Sequence, residues 1–197
     1  MPNWTDNKLR IEAKSKEDLE FILDEIKGNE RVIDFNKIIL MPESLGIESG
    51  TKTDIALKAI ELQKEGMSDK EIKDRLIAES RCSTIIQNEG FDEYVEQIKK
   101  NIEAHGHPTW YEFCWDRWGT KWNSHNSSII NRKGNSIIMR FDTAWAPPIP
   151  IYEALVEKFR DRLKSVKAES WQEENMCFDE NGGFVDRDPD DIFHVTL

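Results

Sequence analysis

Ser127-Ser128-Ile129-Ile130-Asn131-Arg132-Lys133-Gly134-Asn135-Ser136-Ile137-Ile138-Met139-Arg140-Phe141 is the stretch on which the fold turns. Two β-branched runs, 127–131 and 136–141, flank Asn131-Arg132-Lys133-Gly134-Asn135, and that composition predicts a hairpin. Downstream, Pro147, Pro148 and Pro150 stand where a helix begins, because proline lacks only an N–H that a first turn leaves unpaired anyway. Tyr152, Leu155, Val156, Phe159 and Leu163 give that helix, over 150–163, an apolar face. A closing strand pair is expected over 166–176 and 178–185, turned by Asp179-Glu180-Asn181-Gly182-Gly183.

Upstream, Trp4 to Glu12 alternates as a strand should, with Leu9 and Ile11 on one face and Lys8, Arg10 and Glu12 on the other. Ser15 predicts a helix N-cap. Leu19, Ile22, Leu23 and Ile26 form the apolar stripe, and Gly28 offers a left-handed residue to end the helix. The isoleucine-rich run Val32 to Met41 reads as a second strand, closed by Pro42. The order strand, helix, strand, then strands, helix, strand is that of a ferredoxin-like βαββαβ fold. This is an α+β architecture with an antiparallel sheet and both helices on one face.

Residues 51–104 have a different character. Ile55, Ala59 and Leu62 share one stripe, Ser68 with Glu71 forms a capping box, and Phe91, Tyr94, Val95, Ile98 and Ile102 mark a longer helix. We therefore expect a ferredoxin-like domain over 1–50 and 105–185, a helical insertion over 51–104, and an acidic tail over 186–197 that is mobile over 186–191. The length of 197 residues suits one core with such an addition.

Charged residues make up 33% of the chain, and no apolar run approaches the roughly 20 residues that span a bilayer. The start, Met-Pro-Asn-Trp-Thr-Asp, lacks the basic and apolar regions of a secretory signal. Cys82, Cys114 and Cys177 are odd in number and far apart, which suits reduced thiols in a cytoplasm. The net charge of -11 argues against a generic nucleic-acid binder, whose affinity rests on Lys and Arg. It permits a partner with a basic surface, and equally it serves solubility alone.

Four of the seven tryptophans fall within Trp110-Tyr111-Glu112-Phe113-Cys114-Trp115-Asp116-Arg117-Trp118-Gly119-Thr120-Lys121-Trp122-Asn123, and Trp145 follows. Thr109 with Glu112 makes a second capping box, so this stretch begins as a short helix that Gly119 stops. Trp115, Arg117, Trp118, Thr120, Lys121, Trp122, Asn123 and Trp145 are the candidate ligand- or partner-binding residues. Large aromatics at helical spacing are more often core, so Trp118 and Trp145 are expected to be buried and in mutual reach, with Trp122 keeping an exposed edge. His105, His107, Cys114 and Cys177 match no compact zinc spacing, and no metal, cofactor or catalytic residue is called. The turn over 179–183 lacks the spaced acids of a calcium loop.

Met1-Pro2-Asn3-Trp4 with Asn7, Trp118-Gly119-Thr120-Lys121-Trp122-Asn123 and Phe141-Asp142-Thr143-Ala144-Trp145-Ala146-Pro147-Pro148 together resemble the YubB-like ferredoxin-like domain family of plasmids, phages and integrated mobile elements. The resemblance covers roughly 1–50 and 105–185 and leaves the insertion aside. The segment Glu173-Glu174-Asn175-Met176-Cys177-Phe178 follows the family's aromatic-acidic-glycine strand only loosely. The resemblance implies the fold and a mobile-element setting but no reaction. The function expected is that of an accessory protein which binds a macromolecule, such as an acidic inhibitor of a host nucleic-acid-binding or defence protein. The alternative is a small-molecule- or nucleotide-binding enzyme with a pocket between the Trp-rich stretch and the insertion. Direct nucleic-acid binding through aromatics on the sheet ranks last.

Overall fold

Residues 3–79, 83–172, 177–178, 184–185 and 190–197 are described by the computed structural model of the chain. They fall into two compact units, Met1–Leu40 with Cys114–Leu197, and Met41–Phe113.

In the first unit, β1 (Trp4–Ala13) leads into α1 (Lys16–Ile26), and Ser15 caps the helix by accepting from the Asp18 amide at 3.0 Å. After the second unit come β2 (His125–Lys133), β3 (Ser136–Ala144), α8 (Ile149–Phe159), β4 (Leu163–Gln172) and, at the end of the chain, β7 (Asp190–Thr196). The sheet order is β2-β3-β1-β4-β7, antiparallel throughout. Its first four strands, with α1 and α8, are the ferredoxin-like pattern, and β7 extends the sheet beyond β4. Gly134, at φ +59, makes the tight turn of the β2–β3 hairpin.

Alternation decides which face of the sheet is covered. Thr5, Asn7, Leu9, Ile11 and Ala13 of β1 and Ile137, Met139, Phe141 and Thr143 of β3 are buried. Both helices lie on that face: the Tyr152 hydroxyl of α8 reaches Asn7, and Phe21 of α1 meets Phe159 of α8 edge to face at 6.4 Å. The opposite face carries charge. Arg140 pairs with Asp6, Lys8 and Lys167 both reach Glu169, and Lys164 reaches Glu12. Hydrogen bonds from those lysines hold the Glu169 and Glu12 carboxyls below their usual range.

Several expectations need correction. The run Val32 to Met41 is not a strand. Asp34 caps a single helical turn, α2 (Phe35–Ile38), by accepting from the Asn36 amide at 3.0 Å, while Ile33 and Phe35 are buried. Local side-chain capping overrides β propensity here, because the sheet position beside β3 is filled by β2, its hairpin partner. Gly28 does not take the left-handed conformation; the helix ends at Lys27 in an extended conformation. Residues 190–196 are a paired strand rather than a tail, with β7 registered on β4 through Val195 opposite Val166 and Phe193 opposite Ala168. The expected pairing of 166–176 with 178–185 does not form either: β4 takes β7 as its partner, and β5 (Cys177–Phe178) with β6 (Phe184–Val185) makes a separate two-stranded sheet. Its turn, 179–183, lies outside the described residues.

The second unit contains α3 (Thr51–Lys64), α4 (Asp69–Glu79), α5 (Ser83–Ile86), α6 (Phe91–His105) and α7 (Trp110–Phe113). It has its own core, in which Ile55, Ala59, Leu62, Ile72, Leu76, Phe91, Val95 and Ile98 pack together. Buried Asn101 donates to the Ser44 carbonyl at 3.0 Å and to the Pro108 carbonyl at 2.9 Å, so one side chain ties the entry of the unit to its exit. Gly106, at φ +77, caps α6. The Ser68–Glu71 capping box forms as expected. No helix among the described residues is long and apolar enough to cross a membrane.

Candidate functional site

The tryptophan-rich stretch alternates between holding the fold and facing solvent. α7 passes into a π-helical turn, Cys114–Trp118, which Gly119 ends at φ +74. Trp118 is buried. Its indole N–H donates to the Ile39 carbonyl at 3.0 Å, and its ring meets Phe35 edge to face at 5.9 Å. At Gly119 a Cβ would stand 2.7 Å from Cδ of Pro150 and 3.4 Å from the Pro147 carbonyl, so the two sequence motifs meet here in space. The buried Thr120 hydroxyl donates to the Ala144 carbonyl at 2.8 Å. Asn123 accepts from the Phe35 amide at 3.0 Å and donates to Asp34 at 2.7 Å, which secures the α2 turn. Trp118, Thr120 and Asn123 therefore commit their polar atoms to the first unit's own fold.

Trp122 and Lys121 behave differently. The Trp122 ring is 38% exposed and lies 6.0 Å from Trp4, and the Lys121 ammonium sits over it at 5.0 Å. Trp4 in turn stacks on His125 at 5.1 Å, with the rings 20° from parallel. Trp145 belongs to the same end of the sheet: its amide donates to the Asn3 carbonyl at 2.9 Å, and Ala144 is registered opposite Trp4.

Trp145 corrects the expectation of burial. Its backbone sits at φ +76 and its side chain is 43% exposed. A bulky residue at positive φ is an outlier that the surroundings must enforce. The enforcing network lies beneath it. Fully buried Asn7 donates to the Thr5 carbonyl at 2.9 Å, to the Phe141 carbonyl at 3.3 Å and to the Thr143 hydroxyl at 2.9 Å. The Thr143 hydroxyl donates to the Ala146 carbonyl at 2.8 Å, and the Tyr152 hydroxyl reaches Asn7 Oδ1 at 3.4 Å. Burial pushes the Tyr152 phenol far above its ordinary pKa, so it stays a neutral donor. This network fixes the turn after β3 and turns the Trp145 indole outward. Asn126, at φ +47 with its amide on Asp142, is a second left-handed non-glycine residue, on the β2 segment registered beside this end.

Trp115 is half-buried and Arg117 is exposed on the π turn. Arg117 lines a groove of about 560 Å³ with Ile39, Asp116, Pro150, Glu153 and Glu157, so three acidic residues and one basic residue share its lining. Sequence reading missed Trp4 and His125 as members of the aromatic cluster. Trp4 was visible in the N-terminal motif, but only the tertiary structure shows that its ring meets Trp122.

His107 and Cys114 serve packing, whereas His105 is exposed. His105 reaches the Ser44 hydroxyl at 3.0 Å, and His107 meets Phe113 edge to face at 5.6 Å. Among the described residues no group of three or more His, Cys, Asp or Glu is placed to hold a metal ion. Burial pushes the Cys114 thiol up to about 12, which leaves little thiolate at neutral pH. In a Cys82→Ser, Cys177→Ser double variant, Cys114 should therefore resist a maleimide in the native protein and label at once in denaturant. Rapid native labelling, followed by mass spectrometry, would contradict the buried placement.

Residues 117–185 are similar to the ferredoxin-like domain in Api92-like protein. The matched stretch begins within the tryptophan motif and carries β2, β3, α8 and β4, which are the hairpin, the second helix and three of the five strands of the sheet. Among solved structures, the crystal structure of protein api92 from Yersinia pseudotuberculosis aligns over 100% of both chains at 13% identity with a TM-score of 0.40. No curated protein matches the chain.

Proposed function

We propose that this chain is a cytoplasmic binding protein whose sheet-end aromatic cluster engages a protein partner with a basic surface. The observation that carries the reading is Trp145, which is held at φ +76 with 43% of its surface in water, at the end of the sheet where Trp122 is 38% exposed. Two indoles presented to solvent, one of them at a backbone cost, fit a recognition surface better than a core. Indole faces accept Lys and Arg cations, and Lys121 over Trp122 shows the geometry within the chain itself. The net charge of -11 steers a basic partner toward the chain, and the acidic groove around Arg117 suits lysine and arginine side chains at the rim of such a contact. The family resemblance adds the setting: an accessory protein of a plasmid, phage or integrated element that occludes the basic groove of a nucleic-acid-binding or defence protein.

An arginine-rich peptide is a suitable probe, with a glutamate-rich peptide as control. Indole fluorescence should report binding of the basic peptide only, and the association should slow steeply as salt screens the exposed charges. Trp122→Ala and Trp145→Gly should each weaken binding about tenfold or more, the loss expected from removing one desolvated cation–indole contact. The melting temperature should hold for Trp122→Ala and hold or rise for Trp145→Gly, since glycine relieves the positive φ. Equal binding by wild type and both variants would sink the proposal.

A further inference from the structure

The free edge of the sheet at β2 carries an observation independent of the aromatic cluster. β2 is a terminal strand of the five-stranded sheet. The chain over 31–33 covers its beginning: Arg31 donates to the Ser124 carbonyl, the Val32 amide to the Ser127 hydroxyl, and Ser124 to the Ile33 carbonyl. From Ser128 to Lys133 every residue is exposed. A bulge falls between Ile129 and Asn131, and two successive isoleucines stand in solvent there, Ile129 at 46% and Ile130 at 51%. Ile129 also forms one wall of a groove of about 440 Å³ with Leu23, Val32 and Arg31, on the helix-covered side of the edge.

An exposed strand edge with apolar side chains is a template for another strand, and natural proteins blunt such edges unless they use them. Arg132 and Lys133 blunt only the far end of this one, and Arg132 is already paired with Glu20. The remaining question is which strand fits. The chain has 38 acidic residues, yet β2, over 125–133, contains none. Two copies of an acidic chain repel over most of their surface, and along the β2 strand itself no carboxylate would face a carboxylate. An antiparallel pairing of the strand with itself about Ile130 sets Ser128 opposite Arg132, Ile129 opposite Asn131 and Ile130 opposite its own copy. No like charges stand directly opposite one another, and four isoleucines gather around the two-fold axis.

We infer that the Ser128–Lys133 edge of β2 is the interface of a symmetric dimer, in which a second copy of this chain extends the sheet across a two-fold axis. The aromatic cluster lies at the sheet end, on other residues, so dimer formation and partner binding are separable. Sedimentation velocity of the full chain over a wide concentration range should show a reversible monomer–dimer equilibrium. Ile130→Lys, which places two like charges at the axis, and Asn131→Pro, which removes a strand donor, should each shift it to monomer. Ile130 is exposed, so Ile130→Lys should leave the melting temperature of the dilute monomer unchanged and the arginine-rich peptide still bound. In the dimer, backbone amide exchange should slow within 128–133, and that protection should vanish in Ile130→Lys. A chain that stays monomeric at every concentration overturns the inference, as does a dimer indifferent to both substitutions. A monomer that captures an unrelated extended peptide on this edge would also overturn it, by replacing the second copy as occupant.

Discussion

Trp118→Ala is expected to destabilise the sheet-containing unit by about 3–5 kcal/mol, the cost typical of truncating a buried tryptophan. That corresponds to a fall in melting temperature of roughly 6–20 °C for a chain of this size class. Two effects add. The ring leaves a cavity beside Phe35, and loss of the indole N–H strips the Ile39 carbonyl of its donor. Trp118→Phe separates them, because it keeps most of the apolar contact and loses only the hydrogen bond. Its loss should be smaller than that of alanine and still measurable. Thermal unfolding followed by circular dichroism suffices. A Trp118→Ala protein with unchanged melting temperature would mean that Trp118 is not the anchor between the π turn and the segment before Leu40.

Gly119→Ala is the second large effect and has a different cause. At φ +74 an alanine pays about 1–2 kcal/mol for the left-handed conformation alone. Its Cβ would also lie 2.7 Å from Cδ of Pro150, an atom that cannot swing aside because the ring binds it to the backbone. Gly106→Ala is the matched control. Gly106 sits at φ +77 with nothing within 4 Å of its Cβ position, so it pays the conformational cost without the clash. Melting curves of the two variants should differ, Gly119→Ala being the less stable. Equal losses would show that Pro150 yields, and that contact between the two motifs is not close enough to resist a methyl group.

Much of the fold was legible because local signals agree with one another. Period-two alternation in Trp4–Glu12, the hairpin glycine, the Ser15 and Ser68 caps and the prolines before α8 each predict an element that exists. The Val32–Met41 run misled because its composition favours a strand while its neighbours do not. Asp34 offers a cap, and Asn123, distant in sequence, satisfies the Phe35 amide.

The candidate site divides in the same way. Residue types and spacing marked the tryptophan motifs as the dense centre of the chain and placed a stop at Gly119. They could not separate Trp118 from Trp145, two indoles that share the expectation of burial. That difference is tertiary. Trp118 has a core to enter and a carbonyl to bond, whereas Trp145 is turned outward by a backbone angle that the Asn7–Thr143 network imposes from beneath. The sequence by itself determined which segments are helix and strand wherever their apolar periodicity was clean. Only the tertiary structure decided strand order, the membership of β7 and the exposure of Trp122 and Trp145. Those depend on which distant residues meet a given side chain or backbone group, and periodicity along the chain carries no record of that.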